Sequence, residues 1–153
     1  MNQATSTGFL PIAAMMFAAG IGIPVFAALN SALGKQLGGP IAATAVTFAV
    51  GAAIALAVVA VTGFPPRSAF TFETPWIWFG AIFMLFYATS VAYAAPRIGL
   101  GNAIFFVLLG QIVAAAAIDH FGWLGAIQSA LTPKRMLGIA VMAVGLYLAR
   151  KSA

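Results

Sequence analysis

Residues 41–62 read IAATAVTFAVGAAIALAVVAVT, twenty-two positions with no charge, and three threonines are the most polar side chains among them. About 20 apolar residues carry a helix across the ~30 Å hydrocarbon core of a bilayer. A helix on a soluble domain would need a polar face toward water, and this stretch has none. It therefore reads as a membrane span, with Pro40 after Gly38-Gly39 placed at the first helical position, where its missing N–H costs nothing.

Outward from this run the pattern repeats. The 153-residue chain is 63% hydrophobic and 6% charged, against about 25% charged in soluble domains. Seven Lys or Arg and two Asp or Glu cannot clothe a core in water. The fold class that follows is an all-α membrane protein, one transmembrane domain over 1–153. About five helices are expected, at 9–33, 41–62, 76–95, 99–118 and 134–149. The 9–33 run follows no Lys or Arg and is too long for a signal core, so it reads as a retained helix. The 63–74 connection holds Pro65, Pro66, Arg67 and Glu73. Thr74-Pro75 and Thr132-Pro133 each read as N-cap followed by first helical residue, while Pro96-Arg97 closes the third helix and Asp119-His120 ends the fourth. Residues 122–131 are expected as a short surface helix with Leu124, Ile127 and Leu131 on one side. The fifth run has a purely apolar part of only 136–149. It spans if Lys134, Arg135, Arg150 and Lys151 snorkel; four spans plus a surface helix is the alternative.

The basic residues stand singly or in short pairs beside apolar runs, as helix-end anchors do. No stripe for nucleic acid forms. Without cysteine, and with one histidine and two acids, no metal, cofactor or nucleophile–base constellation is available, which argues against an enzyme. With five spans, one face would carry Arg67, Lys134 and Arg135. The other would carry Lys35, Arg97, Arg150 and Lys151. Orientation follows the Lys/Arg difference, and a difference of one permits dual topology, with copies inserted both ways and paired antiparallel. An ordinary fixed orientation is the alternative.

Several features in sequence order carry a resemblance: Ile23-Pro24, Asn30, Leu33-Gly34, Phe48 with Gly51, Pro96-Arg97-Ile98-Gly99, Gly110-Gln111, Ile118-Asp119-His120-Phe121-Gly122, and Arg135 with Gly138 and Gly145. Over nearly the whole chain these resemble the YdcZ-like inner-membrane exporters of the drug/metabolite transporter superfamily. Ile23 departs from the glutamine expected before the proline. The last three helices are also similar to the small multidrug resistance proteins, which pair antiparallel. The resemblance implies a small-molecule or metabolite transporter of a bacterial-type inner membrane, acting as a ten-helix homodimer by alternating access. Gly138 and Gly145 are then the dimer interface. The membrane-embedded glutamate of those multidrug proteins has no counterpart here, which favours neutral or amphiphilic solutes. The alternatives are a passive pore or lipid-handling protein, or an accessory subunit of a membrane complex.

Depth selects the candidate substrate-binding residues. Gln111 lies near the middle of its span, where only protein, water or solute can satisfy an amide; interhelical glue is the alternative. Pro24 removes a donor from the Gly20 carbonyl and is expected to break the first helix at mid-depth; a plain packing kink is the alternative. Tyr87 and Gly51 fall in the same layer. Asn30 and Asp119 lie toward opposite faces, so an antiparallel pair would bring Asn30 of one copy level with Asp119 of the other; the alternative is that Asp119 and His120 simply mark a helix end in the headgroups. Trp76, Phe79, Phe83, Phe86, Ser90 and Tyr93 form one helical stripe, lipid-facing or core. Ala45, Ala49, Ala53, Gly110 and Ala114 mark expected close helix contacts.

Overall fold

The computed structural model describes residues 6–71 and 73–149, and these are helical with short connections. Five helices follow in chain order: α1 Ser6–Gln36, α2 Pro40–Thr62, α3 Gly80–Ile98, α4 Leu100–Phe121 and α5 Pro133–Ala149. The first two, α4, and the stretch Pro75–Ile98 (α3 with the 3-10 turn before it) are long and apolar enough to cross a membrane. With 17 residues, α5 rises about 25 Å, short of the ~30 Å core. Arg150 and Lys151, expected to anchor its end, lie outside the described residues.

The chain divides into two compact units, Met1–Pro96 and Arg97–Ala153. In the first, α1 packs on α2 across the short turn at Gly38-Gly39. Gly34 faces that turn, where a Cβ would meet Pro40 Cα at 3.6 Å, an ordinary van der Waals contact. The buried faces are narrow and built of small residues. They are Ala27, Asn30 and Ser31 on α1, Ala43 and Thr44 on α2, and Ala88, Val91, Ala92 and Ala95 on α3. The α3 set follows the i, i+3, i+4, i+7 spacing of one helical stripe. Burying large apolar side chains gains little when the solvent is itself hydrocarbon, so close backbone approach through small residues directs the packing. Of the aromatic stripe, Phe83, Phe86 and Tyr93 lie on another side of α3, while Trp76 and Phe79 stand in the 3-10 turn before it. Phe83 and Phe86 are 77% and 73% exposed, and Trp76, Phe79 and Tyr93 are also open.

The second unit packs α4 on α5. Ala103, Phe105 and Ala116 are its buried positions on α4. A single residue, Gly99, separates α3 from α4. It takes φ 85° and ψ 145°, a region essentially reserved for glycine. Gly122 closes α4 in the left-handed conformation at φ 63°, and its N–H donates to the Ile118 carbonyl, a standard glycine C-terminal cap.

Several boundaries differ from the sequence reading. Although Pro24 and Pro11 lie inside α1, the helix runs through both without a break; a missing N–H and a crowded carbonyl are tolerated where the remaining ladder persists. The third helix passes Pro96 and ends at Ile98, because the conformational break falls at Gly99. Asp119 and His120 sit in the last turn of α4, inside the helix. The expected 122–131 surface helix is absent: only Trp123–Gly125 forms a single 3-10 turn, since Gly122 and Gly125 adopt positive φ. Thr74 precedes a 3-10 turn, Pro75–Phe79, and its side chain makes no cap hydrogen bond. Thr132 does cap, accepting from the Arg135 N–H at 3.3 Å. Ala45, Ala49 and Ala53 in the first unit and Gly110 and Ala114 in the second, expected at close contacts, are exposed among the described residues. The buried face of α2 is instead the Ala43-Thr44 side, rotated toward α1 by the short turn.

Candidate functional site

The first unit contains a polar cluster in otherwise apolar helices. Asn30 on α1 is 2% exposed and Thr44 on α2 is fully buried. The Asn30 amide nitrogen donates to Thr44 Oγ1 and to the Ala88 carbonyl, each at 3.2 Å. Its oxygen accepts from Thr47 Oγ1 at 3.0 Å. Thr44 donates in turn to the Pro40 carbonyl at 2.8 Å, and Thr89 donates to Thr44 at 3.4 Å. An amide offers two donors and one acceptor oxygen, and here all are engaged. One side chain thereby joins α1, α2 and α3. Thr44 and Thr47 were missed as sites in the sequence. Their spacing of three inside an apolar run was the available signal, since it places both hydroxyls on one face.

Tyr87, one residue before the Asn30 contact on α3, stacks on Phe26 with ring centroids 6.3 Å apart. Its hydroxyl is buried and has no hydrogen-bond partner among the described residues. An unpaired buried hydroxyl costs free energy unless something else meets it. Pro24 lies two residues before Phe26. Having no N–H, it leaves the Gly20 carbonyl without its usual helical donor, and Gly20 itself is exposed with open space around it. On α3, Phe86, Ser90 and Tyr93 line a groove of about 750 Å³ with Pro40 and Ile41 of α2. This hollow is apolar and suits hydrocarbon.

In the second unit, Gln111 is exposed near the centre of α4 and makes no hydrogen bond among the described residues. Asp119 is ion-paired: Arg135 holds its carboxylate at 2.5 Å, with both side chains about one-third exposed. Arg135 also donates to the Ser129 carbonyl at 3.2 Å, and the Ser129 N–H donates to the Asp119 carbonyl at 2.8 Å. The Leu131 N–H donates to His120 Nδ1 at 3.1 Å. The Asp-His-Phe-Gly signature thus serves as a clasp: an ion pair, an imidazole acceptor, a ring stacked on Trp123 at 4.7 Å, and a left-handed cap. Asn30 and Asp119, considered as a pair between copies, each have partners within their own chain. Between α4 and α5 lies a second groove, of about 500 Å³, with His120 at one end. Gly138 and Gly145 are exposed on α5, and a Cβ at either would meet nothing within 4 Å. No group of three or more His, Cys, Asp or Glu able to hold a metal ion occurs among the described residues.

A family model described as "Putative inner membrane exporter, YdcZ" matches residues 11–148. No curated protein and no solved structure matches the chain.

Proposed function

The chain belongs to the YdcZ family of inner membrane exporters, and from that membership we propose that it exports a small, neutral or amphiphilic molecule by alternating access as an antiparallel homodimer. It is a multi-pass inner membrane protein of a transporter family, which is not a family of enzymes. The observation that carries the finer reading is Gln111. An amide exposed at the centre of a span has no water to bond, so its partner is solute, cavity water or a second copy. Antiparallel pairing supplies all three, because it brings two copies of Gln111 to one level and gives the inverted symmetry from which alternating-access carriers are built. The exposed small faces of α2, α4 and α5 support a second copy in the same way. In this reading Gln111 contacts the solute from α4, and within the first unit the Tyr87 hydroxyl and the Gly20 carbonyl at Pro24 are further candidate contacts. Asn30 holds α1, α2 and α3 together, and Asp119 lies at the membrane edge.

The experiment is flux through reconstituted Gln111→Leu together with its melting temperature. Similar volume keeps packing nearly intact. The proposal expects transport to collapse while stability changes by no more than about 1 kcal/mol, the scale of one bilayer hydrogen bond. Undiminished flux from a stable variant removes Gln111 from the site.

A further inference from the structure

The segment between α4 and α5 reverses the usual polarity of a loop. Residues 122–131 read GWLGAIQSAL, ten positions without a charge, with Gln128, Ser129 and the Trp123 indole as the polar side chains. Its hydrogen-bonding groups turn back on α4. The Gln128 amide donates to the His120 carbonyl at 3.2 Å, the Ser129 N–H to the Asp119 carbonyl at 2.8 Å, and the Leu131 N–H to His120 Nδ1 at 3.1 Å. The large apolar side chains are left outside: Trp123 is 55%, Leu124 81% and Ile127 91% exposed. The backbone is strained at the same place. Leu124 takes φ 57° and ψ 23° between Gly122 and Gly125, both also at positive φ. It is the one non-glycine residue with positive φ among the described residues, and a bulky side chain rarely adopts that region. Such strain persists where the surroundings enforce it, and here the bonds to the last turn of α4 and the Arg135–Asp119 ion pair do so.

A loop that bonds its polar groups to its own chain and exposes three large apolar side chains fits a solvent without hydrogen bonds. Its position supplies that solvent. The 22 residues of α4 rise about 33 Å, enough to cross the ~30 Å hydrocarbon core. The bonds from Gln128, Ser129 and Leu131 to Asp119 and His120 hold the loop against the end of that span, at the bilayer surface. We propose that the 122–131 loop is a membrane-inserting tip, in which Trp123, Leu124 and Ile127 enter the headgroup–acyl boundary of the leaflet where α4 ends. Lipid is then the partner of this apolar surface. Trp123 matches that layer, since its ring is apolar and its N–H finds headgroup acceptors. An interfacial helix would sort apolar from polar side chains by its period; here strained turns at Gly122, Leu124 and Gly125 do so without a helix. The proposal stands on the α4 span and is independent of the transport reading.

The test is the fluorescence of Trp123 in the full chain carrying Trp76→Phe and Trp78→Phe, reconstituted in phosphatidylcholine vesicles. Lipid brominated near the headgroup end of its acyl chains is expected to quench Trp123 more than lipid brominated near the tail end. Iodide present on both sides of the membrane is expected to quench it little. Leu124→Asn with Ile127→Asn removes two of the three anchors, and asparagine accepts the left-handed backbone at position 124. Emission is then expected to move to longer wavelength, with more iodide quenching and less bromolipid quenching, at unchanged helix content. If that double variant does not fold, Leu124→Gly keeps the turn, removes one anchor and is expected to change the signals in the same direction. Strong iodide quenching of Trp123 in the unsubstituted loop overturns the proposal, as does undiminished bromolipid quenching in a folded variant. Ile127→Cys, the sole thiol in a chain without cysteine, is expected to stay unpaired under oxidation. Ready disulfide formation between copies would put a second chain on this surface in place of lipid, and also overturns it.

Discussion

Arg135, at the start of α5, reaches back sixteen residues to hold Asp119 in the last turn of α4 at 2.5 Å. The ion pair closes the 122–132 loop, and backbone bonds from Ser129 and Leu131 fasten it further. Both partners are about one-third exposed, so water screens much of the attraction and the pair is worth about 0–1 kcal/mol. Asp119→Asn is therefore expected to lower the melting temperature only slightly and to leave flux intact. The exchanged pair Asp119→Arg with Arg135→Asp should recover stability. If Asp119→Asn abolishes flux at unchanged melting temperature, the carboxylate acts on solute and not only on the loop.

Asn30 supports a larger effect. Asn30→Leu leaves the Ala88 carbonyl and the Thr44 and Thr47 hydroxyls without their shared partner. Bilayer hydrogen bonds average ~0.6 kcal/mol with a maximum near 1.7, so three of them predict a loss of about 1–3 kcal/mol. Unfolding in mixed micelles measures it. A stable Asn30→Leu that no longer transports would instead place this amide on the solute.

Tyr87 gives the opposite expectation. Its hydroxyl has no partner among the described residues, so Tyr87→Phe removes an unpaid desolvation cost while keeping the ring against Phe26. Stability is expected to hold or rise slightly, and flux to fall if the hydroxyl meets solute. Equal flux from Tyr87→Phe takes it off the list of ligands.

Gly145→Leu separates assembly from folding. Nothing stands within 4 Å of a Cβ at this position, so the chain itself should tolerate the side chain. A helix contact with a second copy should not, because a branched side chain holds the backbones apart. Loss of crosslinked dimer with unchanged helix content is the expected outcome; an unchanged dimer population removes Gly145 from the interface.

Orientation rests on a Lys/Arg difference of one between the two faces if all five helices span. Two lysines added after Arg150 should drive the C-terminus to the cytoplasm. Labelling of single introduced cysteines from each side reports the result, and labelling of the unmodified chain on one face only rules out dual topology.

The sequence by itself determined the solvent, the helices and the family. Twenty uncharged residues in a row have one physical reading, and the 41–62 run, the glycine–proline punctuation and the Gly-Gln and Asp-His-Phe-Gly motifs gave the span positions and the family resemblance that the family match bears out. Which face of each helix turns inward was decided only by the tertiary structure. In lipid the large apolar side chains are at home on either side, so hydrophobicity marks no interior. The aromatic stripe read as either lipid-facing or core and lies open, the alanines at 45, 49 and 53 read as contacts but are exposed, and Ala43, Thr44 and Ala88 close the core. The polar partnerships were equally hidden. Asn30 finds Thr47 because a turn of three residues folds α2 back on α1, and it finds the Ala88 carbonyl on α3, fifty-eight residues away in sequence. Asp119 finds Arg135 because the 122–132 segment doubles back on glycines instead of forming a helix. Such pairings depend on which residues a turn brings face to face, and side-chain chemistry alone does not encode that.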